Sequence, residues 1–236
     1  MTLRAELERR EHEAAARSSQ LERYAADLRE TFKQERERSQ ELNRSYRATV
    51  RALANAVEAR DAYTGRHAER VAAYGLEIAA AAGLDIAGTP EMEFGFLLHD
   101  VGKVAVPDAI LFKATGLTNE EYALIRRHPH IGWEILREID FLGEAKLVVR
   151  HHHERWDGTG YPDALRGEDI PLAARIFSVA DTLDALTTTR PYRPASPFGV
   201  AREIIVAAAG TQFDPAVVEA YCRVPDERFE ALRAAL

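Results

Sequence analysis

Phe94-Gly95-Phe96-Leu97-Leu98-His99-Asp100 is an apolar run that ends in an imidazole and a carboxylate side by side. The run reads as a core helix, with His99 and Asp100 at its end. A lone histidine in that place is usually a satisfied core residue. A histidine beside a carboxylate at a buried helix end needs charge compensation, which points to a bound ion. On either side of the run the signals are again those of helices. Thr64 can cap a helix running to Gly83, and Thr89-Pro90 opens the next. Thr118-Asn119-Glu120-Glu121 has the form of a capping box. Ser196-Pro197 and Asp214-Pro215 each read as a cap followed by proline at the first helical position, with Gly210 ending the helix between them. Alternating β-branched runs are nearly absent, so the predicted class is all-α. One long stretch, Trp156 to Pro171, is rich in Gly, Asp and Pro and reads as a functional loop.

The composition agrees and removes several function classes. Of 236 residues, 46% are apolar and only 8% aromatic, enough for a core and more suited to helices than to sheets. The net charge of −7 argues against binding a nucleic acid polymer through its phosphates. A small anionic substrate must then be held by local cations, since the overall field repels it. The single cysteine, Cys222, allows neither an internal disulfide nor a thiolate metal cage. The charged start lacks a signal-peptide core, and no apolar run approaches the roughly 20 residues of a membrane span. The expectation is a soluble, cytoplasmic chain with no membrane segment.

The first 48 residues differ from the rest. Glu and Arg alternate there, without Pro or Gly. Leu7, Ala14, Leu21, Leu28 and Leu42 form one seven-residue series, and Ala25, Phe32, Tyr46 and Leu53 a second. Together they predict a coiled-coil rod of roughly 70 Å, broken at Glu11, Ser18, Glu35 and Ser39. The reading is a parallel homodimer built on residues 3 to 57; a solvated single helix held by Glu–Arg pairs is the alternative. The predicted domains are therefore a coiled-coil signalling and dimerisation helix, 1–48, and a helical catalytic body, 49–236.

Seven of the eight histidines fall between 67 and 153, while His12 lies in the charged rod as a surface residue. His151-His152-His153-Glu154 forms a second cluster just before the Gly/Pro loop. Asp181 stands directly after the apolar stretch Ile176 to Ala180, a poor place for a free carboxylate. His67, His128 and Asp181 would each default singly to a structural role. Jointly, imidazoles and carboxylates without thiolate suit Fe, Mn, Zn or Ni. One ion needs three or four protein ligands, so six or seven candidates suggest two ions sharing a carboxylate. A His-Glu-x-x-His zinc site, a P-loop and a Gly-x-Ser-x-Gly elbow are all absent.

His99-Asp100 followed by His152-His153-Glu154-Arg155-Trp156-Asp157-Gly158-Thr159-Gly160-Tyr161-Pro162 resembles the HD-GYP domain, a branch of the HD phosphohydrolase superfamily. The likeness extends over roughly residues 49 to 222: Asp61 to His67, Gly102-Lys103, Asp181 to Leu186, Arg190 to Arg193, and Gly210 to Pro215. It implies a helical HD fold that hydrolyses cyclic di-GMP to pGpG, and further to GMP, by attack of a metal-bridging hydroxide. It also implies ligand roles for His67, His99, Asp100, His128, His152, His153 and Asp181, with Asp100 as the bridge and His151 only a neighbour. Lys103, Arg190 and Arg193 match residues that contact substrate phosphates, and Asp61 matches a carboxylate near the leaving group. Gly160-Tyr161-Pro162 borders the active site, which puts Tyr161 against substrate. Members holding three ions carry a glutamate four residues before the first histidine; Tyr63 stands there, so two ions are expected, Fe or Mn by ligand type and family habit. The rod would relay a signal from a sensor or a GGDEF-type partner. Two alternatives remain open: a catalytically silent signalling module, and an esterase of another cyclic dinucleotide such as 3′,3′-cGAMP.

Overall fold

The computed structural model describes residues 3–59, 66–86, 90–113, 115–189 and 193–236, and the backbone alone for residues 3–5, 7, 11, 14 and 15. The helices are α1 (Leu3–Glu58), α2 (His67–Ala81), α3 (Pro90–Leu98), α4 (Asp108–Leu111), α5 (Asn119–Ile125) and α6 (His128–Leu136). There follow α7 (Ala145–His151), α8 (Leu172–Thr187), α9 (Phe198–Ala207), α10 (Pro215–Arg223) and α11 (Asp226–Ala235). Short 3₁₀ turns cover Val101–Ala105, Asp140–Leu142 and Gly167–Asp169. Among the described residues there is no strand, only an isolated bridge between Ala209 and Phe213, so the chain is all-α with a long N-terminal helix. No helix among them is long and apolar enough to cross a membrane.

The chain divides into two compact units, Met1–Thr49 and Val50–Leu236. In the first, Arg10 and Arg9 pair with Glu6 and Glu13 one turn away, at 3.4 and 3.5 Å, contacts that add little in solvent. Leu21, Leu28, Phe32 and Leu42 lie exposed, Leu21 at 66% and Phe32 at 67%, so nothing within the first unit covers the apolar seam.

In the second unit α2 packs on α3 and α8, α3 on α7, and α6 on both α7 and the Val101–Ala105 turn. Ile78, Phe96, Val148, Val149, Ile176, Val179 and Leu183 are fully buried at these contacts. Each such side chain contributes on the order of 1.5–3 kcal/mol by leaving water. Tyr74, Phe198, Tyr221 and Phe229 form a second apolar layer, with Tyr74 edge-on to Phe229 at 5.5 Å. The approach of the Val101–Ala105 turn to α6 requires Gly102. A Cβ there would stand 1.9 Å from the His128 carbonyl oxygen and 2.6 Å from the Gly132 nitrogen.

Several helix boundaries follow the local chemistry. Thr118 accepts from the Glu121 N–H while the Glu121 carboxylate accepts from the Thr118 N–H, a complete capping box for α5. Asp214 accepts from the Ala216 N–H at 2.8 Å with Pro215 first in α10. Gly83, at φ +84, closes α2: its N–H reaches the Ala80 carbonyl and the Leu84 N–H the Ala79 carbonyl, a Schellman ending. Two boundaries differ from the sequence reading. α2 begins at His67 behind a left-handed Arg66 (φ 62), whose side chain caps nothing; the Glu58 carboxylate at the end of α1 accepts the Ala68 N–H instead, at 2.5 Å. Thr64 and Thr89 lie outside the described residues. α9 begins at Phe198, because Pro197 takes an extended ψ of 150 and serves as the cap, while the Ser196 N–H is drawn to the Leu186 carbonyl.

Candidate metal centre

The fold brings helix ends together. His67 is the first residue of α2 and His128 the first of α6; His99 and Asp100 follow α3; His152 and His153 follow α7. Asp181 projects from the middle of α8. These seven side chains, with Lys103, Ile125 and Tyr161, line one open cavity of about 680 Å³.

Asp100 is the hub. One carboxylate oxygen, Oδ2, lies 3.0 Å from His99 Nε2 and 2.7 Å from Lys103 Nζ. The other, Oδ1, lies 3.2 Å from His128 Nε2 and 4.0 Å from His152 Nε2. Across the cavity, His67 Nε2 is 3.4 Å from Asp181 Oδ1. The His153 ring is 4.2 Å from that of His152 and 5.1 Å from that of His128. The buried Phe177 of α8 packs behind two of these rings, its centroid 4.7 Å from that of His99 and 5.5 Å from that of His152.

The imidazoles are oriented from behind. The Nδ1 atoms of His99, His128 and His152 lie 2.9, 2.8 and 2.8 Å from the carbonyls of Phe96, Ile125 and Val149. A carbonyl only accepts, so each Nδ1 carries a proton and each ring turns its Nε2 toward the cavity. The His67 Nδ1 donates likewise to Asp184 at 2.7 Å, and Arg70 holds that same carboxylate at 2.5 and 3.0 Å. This pattern, Nδ1 tied down and Nε2 presented, is how proteins aim imidazoles at a cation.

The electrostatics agree. Burial pushes His152 well below the usual imidazole range, and the neighbouring histidines push it further. His153 falls to about 3, by burial and then by His128. Burial would raise Asp100, but His99, Lys103 and His128 outweigh it and hold the carboxyl well below its usual value. For His67 burial acts downward, and the Asp184 and Asp181 carboxylates more than reverse it. Burial thus favours the neutral form of His152 and His153, beside an Asp100 carboxyl held ionised. His128 Nε2 and His152 Nε2 lie 3.1 Å from each other, close enough for both to ligate one cation. The donor atoms of His128, His152 and His153 all fall within 4.8 Å of one another. Nitrogen and oxygen donors without sulfur suit a first-row divalent metal.

The Gly/Pro loop forms the adjoining wall. Gly160 passes so close to Glu154 and Arg155 that a Cβ would meet their backbone at 2.5 Å. The buried Glu154 carboxylate accepts the N–H groups of Asp163 and Leu165 at 2.7 and 3.1 Å, fixing the loop. Tyr161 thereby stacks on His153, centroids 4.7 Å apart. His151 faces Glu154 and Asp163, but Arg150 grips Asp163 at 2.7 and 2.9 Å, so this second cluster anchors the loop.

Among the remaining expected site residues, Lys103 lines the cavity beside Asp100. Arg193 is exposed and donates to the Ala185 carbonyl, and it is not among the residues lining the cavity. Asp61, Tyr63 and Arg190 lie outside the described residues. The sequence reading assigned no role to Asp184, Glu58 or Phe177. The i, i+3 spacing of Asp181 and Asp184 on one helix face was the available signal for Asp184; nothing local marks the other two.

A profile of the HD domain matches residues 51–217. The cyclic di-GMP phosphodiesterase response regulator RpfG of Xanthomonas campestris is 41% identical over 185 residues, covering 78% of this chain and 49% of the relative. The 3′3′-cGAMP-specific phosphodiesterase 2 of Vibrio cholerae is 41% identical over 198 residues, covering 83% of this chain and 38% of the relative. This chain thus spans half the length of these relatives or less. In fold it is similar to a solved cyclic GMP-AMP phosphodiesterase of V. cholerae, with a TM-score of 0.59 at 20% identity over 78% of this chain and 50% of that one. It is also similar to an HDG"Y"P protein of Bdellovibrio bacteriovorus, with a TM-score of 0.52 at 23% identity over 66% of this chain and 50% of that one. A buried histidine–aspartate centre on a helical scaffold, with the HD profile over most of the chain, places it: the chain belongs to the HD-domain family, in its HD-GYP branch.

Proposed function

We propose that this chain is a metal-dependent phosphodiesterase that opens cyclic di-GMP to linear pGpG, with GMP as the product of a second cleavage. The observation that carries the reading is the convergence of His67, His99, Asp100, His128, His152, His153 and Asp181 on one cavity. These residues would hold two divalent ions, Fe or Mn, with Asp100 between them. Such a pair supplies a nucleophile at neutral pH and withdraws charge from the phosphate oxygens. The protein's own part is to position and to neutralise. Lys103 brings a cation to the cavity wall, where a phosphate oxygen can share it with Asp100. Phe177, packed against His99 and His152, holds those two imidazoles in place. Tyr161 closes the side toward the loop. Arg190 and Arg193 would hold substrate phosphates, and Asp61 would protonate the leaving oxygen, as the family resemblance implies.

Hydrolysis of cyclic di-GMP by protein loaded with Fe or Mn under reducing conditions is the direct test. Release of pGpG is expected, and its absence with both metals refutes the proposal. The relatives named for 3′3′-cGAMP favour that ester as the second substrate, and competition between the two dinucleotides ranks them. We further assign residues 1–48 to a cytoplasmic signalling coiled coil and 49–236 to the phosphohydrolase domain. The uncovered Leu21, Leu28, Phe32 and Leu42 support a parallel homodimer. Sedimentation at micromolar concentration is expected to give a dimer that is lost on deletion of residues 1–45; a monomeric full chain would refute it.

A further inference from the structure

Beside the metal cavity lies a second one of about 880 Å³, sharing His152, His153, Tyr161 and Asp181 with it. A site that cuts one phosphodiester needs only the first. The four shared residues set the two cavities side by side, so a ligand with more than one phosphate could reach from one into the other.

Arg126, an exposed residue of the loop between α5 and α6, lines the second cavity. Several arginines of the second unit are engaged by carboxylates, Arg70 by Asp184, Arg150 by Asp163, Arg175 by Asp214 and Arg202 by Asp226. The Arg126 guanidinium has no ion pair and no side-chain hydrogen bond to any described residue. It lies over the Tyr161 ring, 4.4 Å from the centroid. Stacking orients a guanidinium and leaves its N–H fork free at the edge, the geometry that receives phosphate bidentately. Tyr161 in turn stacks on His153, so the order is expected metal ligand, aromatic ring, cation. The cation thus stands two ring-stacking steps from the metal centre. In a chain of net charge −7 an unpaired cation over a groove is the local attraction that an anionic ligand requires.

We infer that Arg126, held on Tyr161, binds the second, uncut phosphate of a cyclic dinucleotide whose first phosphate lies at the metal centre. The assignment rests on the phosphodiesterase reading above. It is tested on the metal-loaded protein by comparing cyclic di-GMP with bis(p-nitrophenyl) phosphate, a diester with a single phosphate. Arg126→Ala is expected to lower the ratio of kcat/KM for the dinucleotide over the small ester roughly 10- to 100-fold, through KM, the weight of one charge-assisted contact. Arg126→Lys, which keeps the charge without the fork, recovers part of that loss. The loss should be alike for 3′,3′-cGAMP, which has the same two phosphates. An unchanged ratio overturns the inference, and so does a loss confined to one dinucleotide, which would make Arg126 a reader of bases. If the parent protein cuts the small ester yet neither binds nor cuts a dinucleotide, the substrate class itself falls, and this assignment with it.

Discussion

Asp100→Asn is expected to leave the protein folded, strip it of stoichiometric metal and reduce cyclic di-GMP hydrolysis by at least about 100-fold. Loss of a partner one shell further out already weakens a metal site about 10- to 100-fold, and Asp100 stands at the centre. Its two oxygens face His99 and Lys103 on one side and His128 and His152 on the other. Those neighbours hold the carboxyl ionised against its burial. The amide keeps the shape and removes the negative charge, so the imidazole cluster would lose its main counter-charge for a cation. It also leaves the Lys103 ammonium without its 2.7 Å partner. Metal analysis and turnover, with circular dichroism to confirm folding, check the outcome. A variant with full metal content and undiminished turnover would show that Asp100 does not bridge the site.

The largest effect on stability is expected at Gly102. In Gly102→Ala the new methyl would fall 1.9 Å from the His128 carbonyl oxygen and 2.6 Å from the Gly132 nitrogen. Both obstacles are backbone, so no rotamer change relieves them. The Val101–Ala105 turn would have to withdraw from α6. Overpacking of this kind costs about 3 kcal/mol or more, a fall in Tm of roughly 6–12 °C for a domain of this size. The same withdrawal would separate Asp100 from His128, so metal affinity should fall together with stability. Gly116→Ala is the control, since nothing lies within 4 Å of its added methyl and a change below about 0.5 kcal/mol is expected. Thermal melts of the two variants decide the matter. A Gly102→Ala protein melting with the parent would mean that this close approach is not needed.

The sequence by itself determined the helical class, because capping residues, Pro at helix starts and the lack of alternating β-branched runs are local signals. The Thr118 and Asp214 caps could be read that way, since each bonds within a few residues of itself. The blocks carrying imidazoles and carboxylates were equally legible, as was their chemical preference for nitrogen and oxygen coordination. Where a boundary depended on a distant group the local reading slipped: the start of α2 is bonded by Glu58 from another helix, and Ser196 is drawn off by Leu186.

Only the tertiary structure decided which of these residues meet. His67 and Asp184 are 117 positions apart and 2.7 Å from each other, a relation no spacing rule contains. The family resemblance had already set His151 apart from His152 and His153; the packing adds where it goes, to the loop anchor of Glu154 and Asp163. The same packing set Arg126 over Tyr161. Short-range backbone hydrogen bonding writes the helices into the chain, whereas the site depends on how closely those helices approach, and that is fixed by core volume and by the space a residue such as Gly102 leaves free.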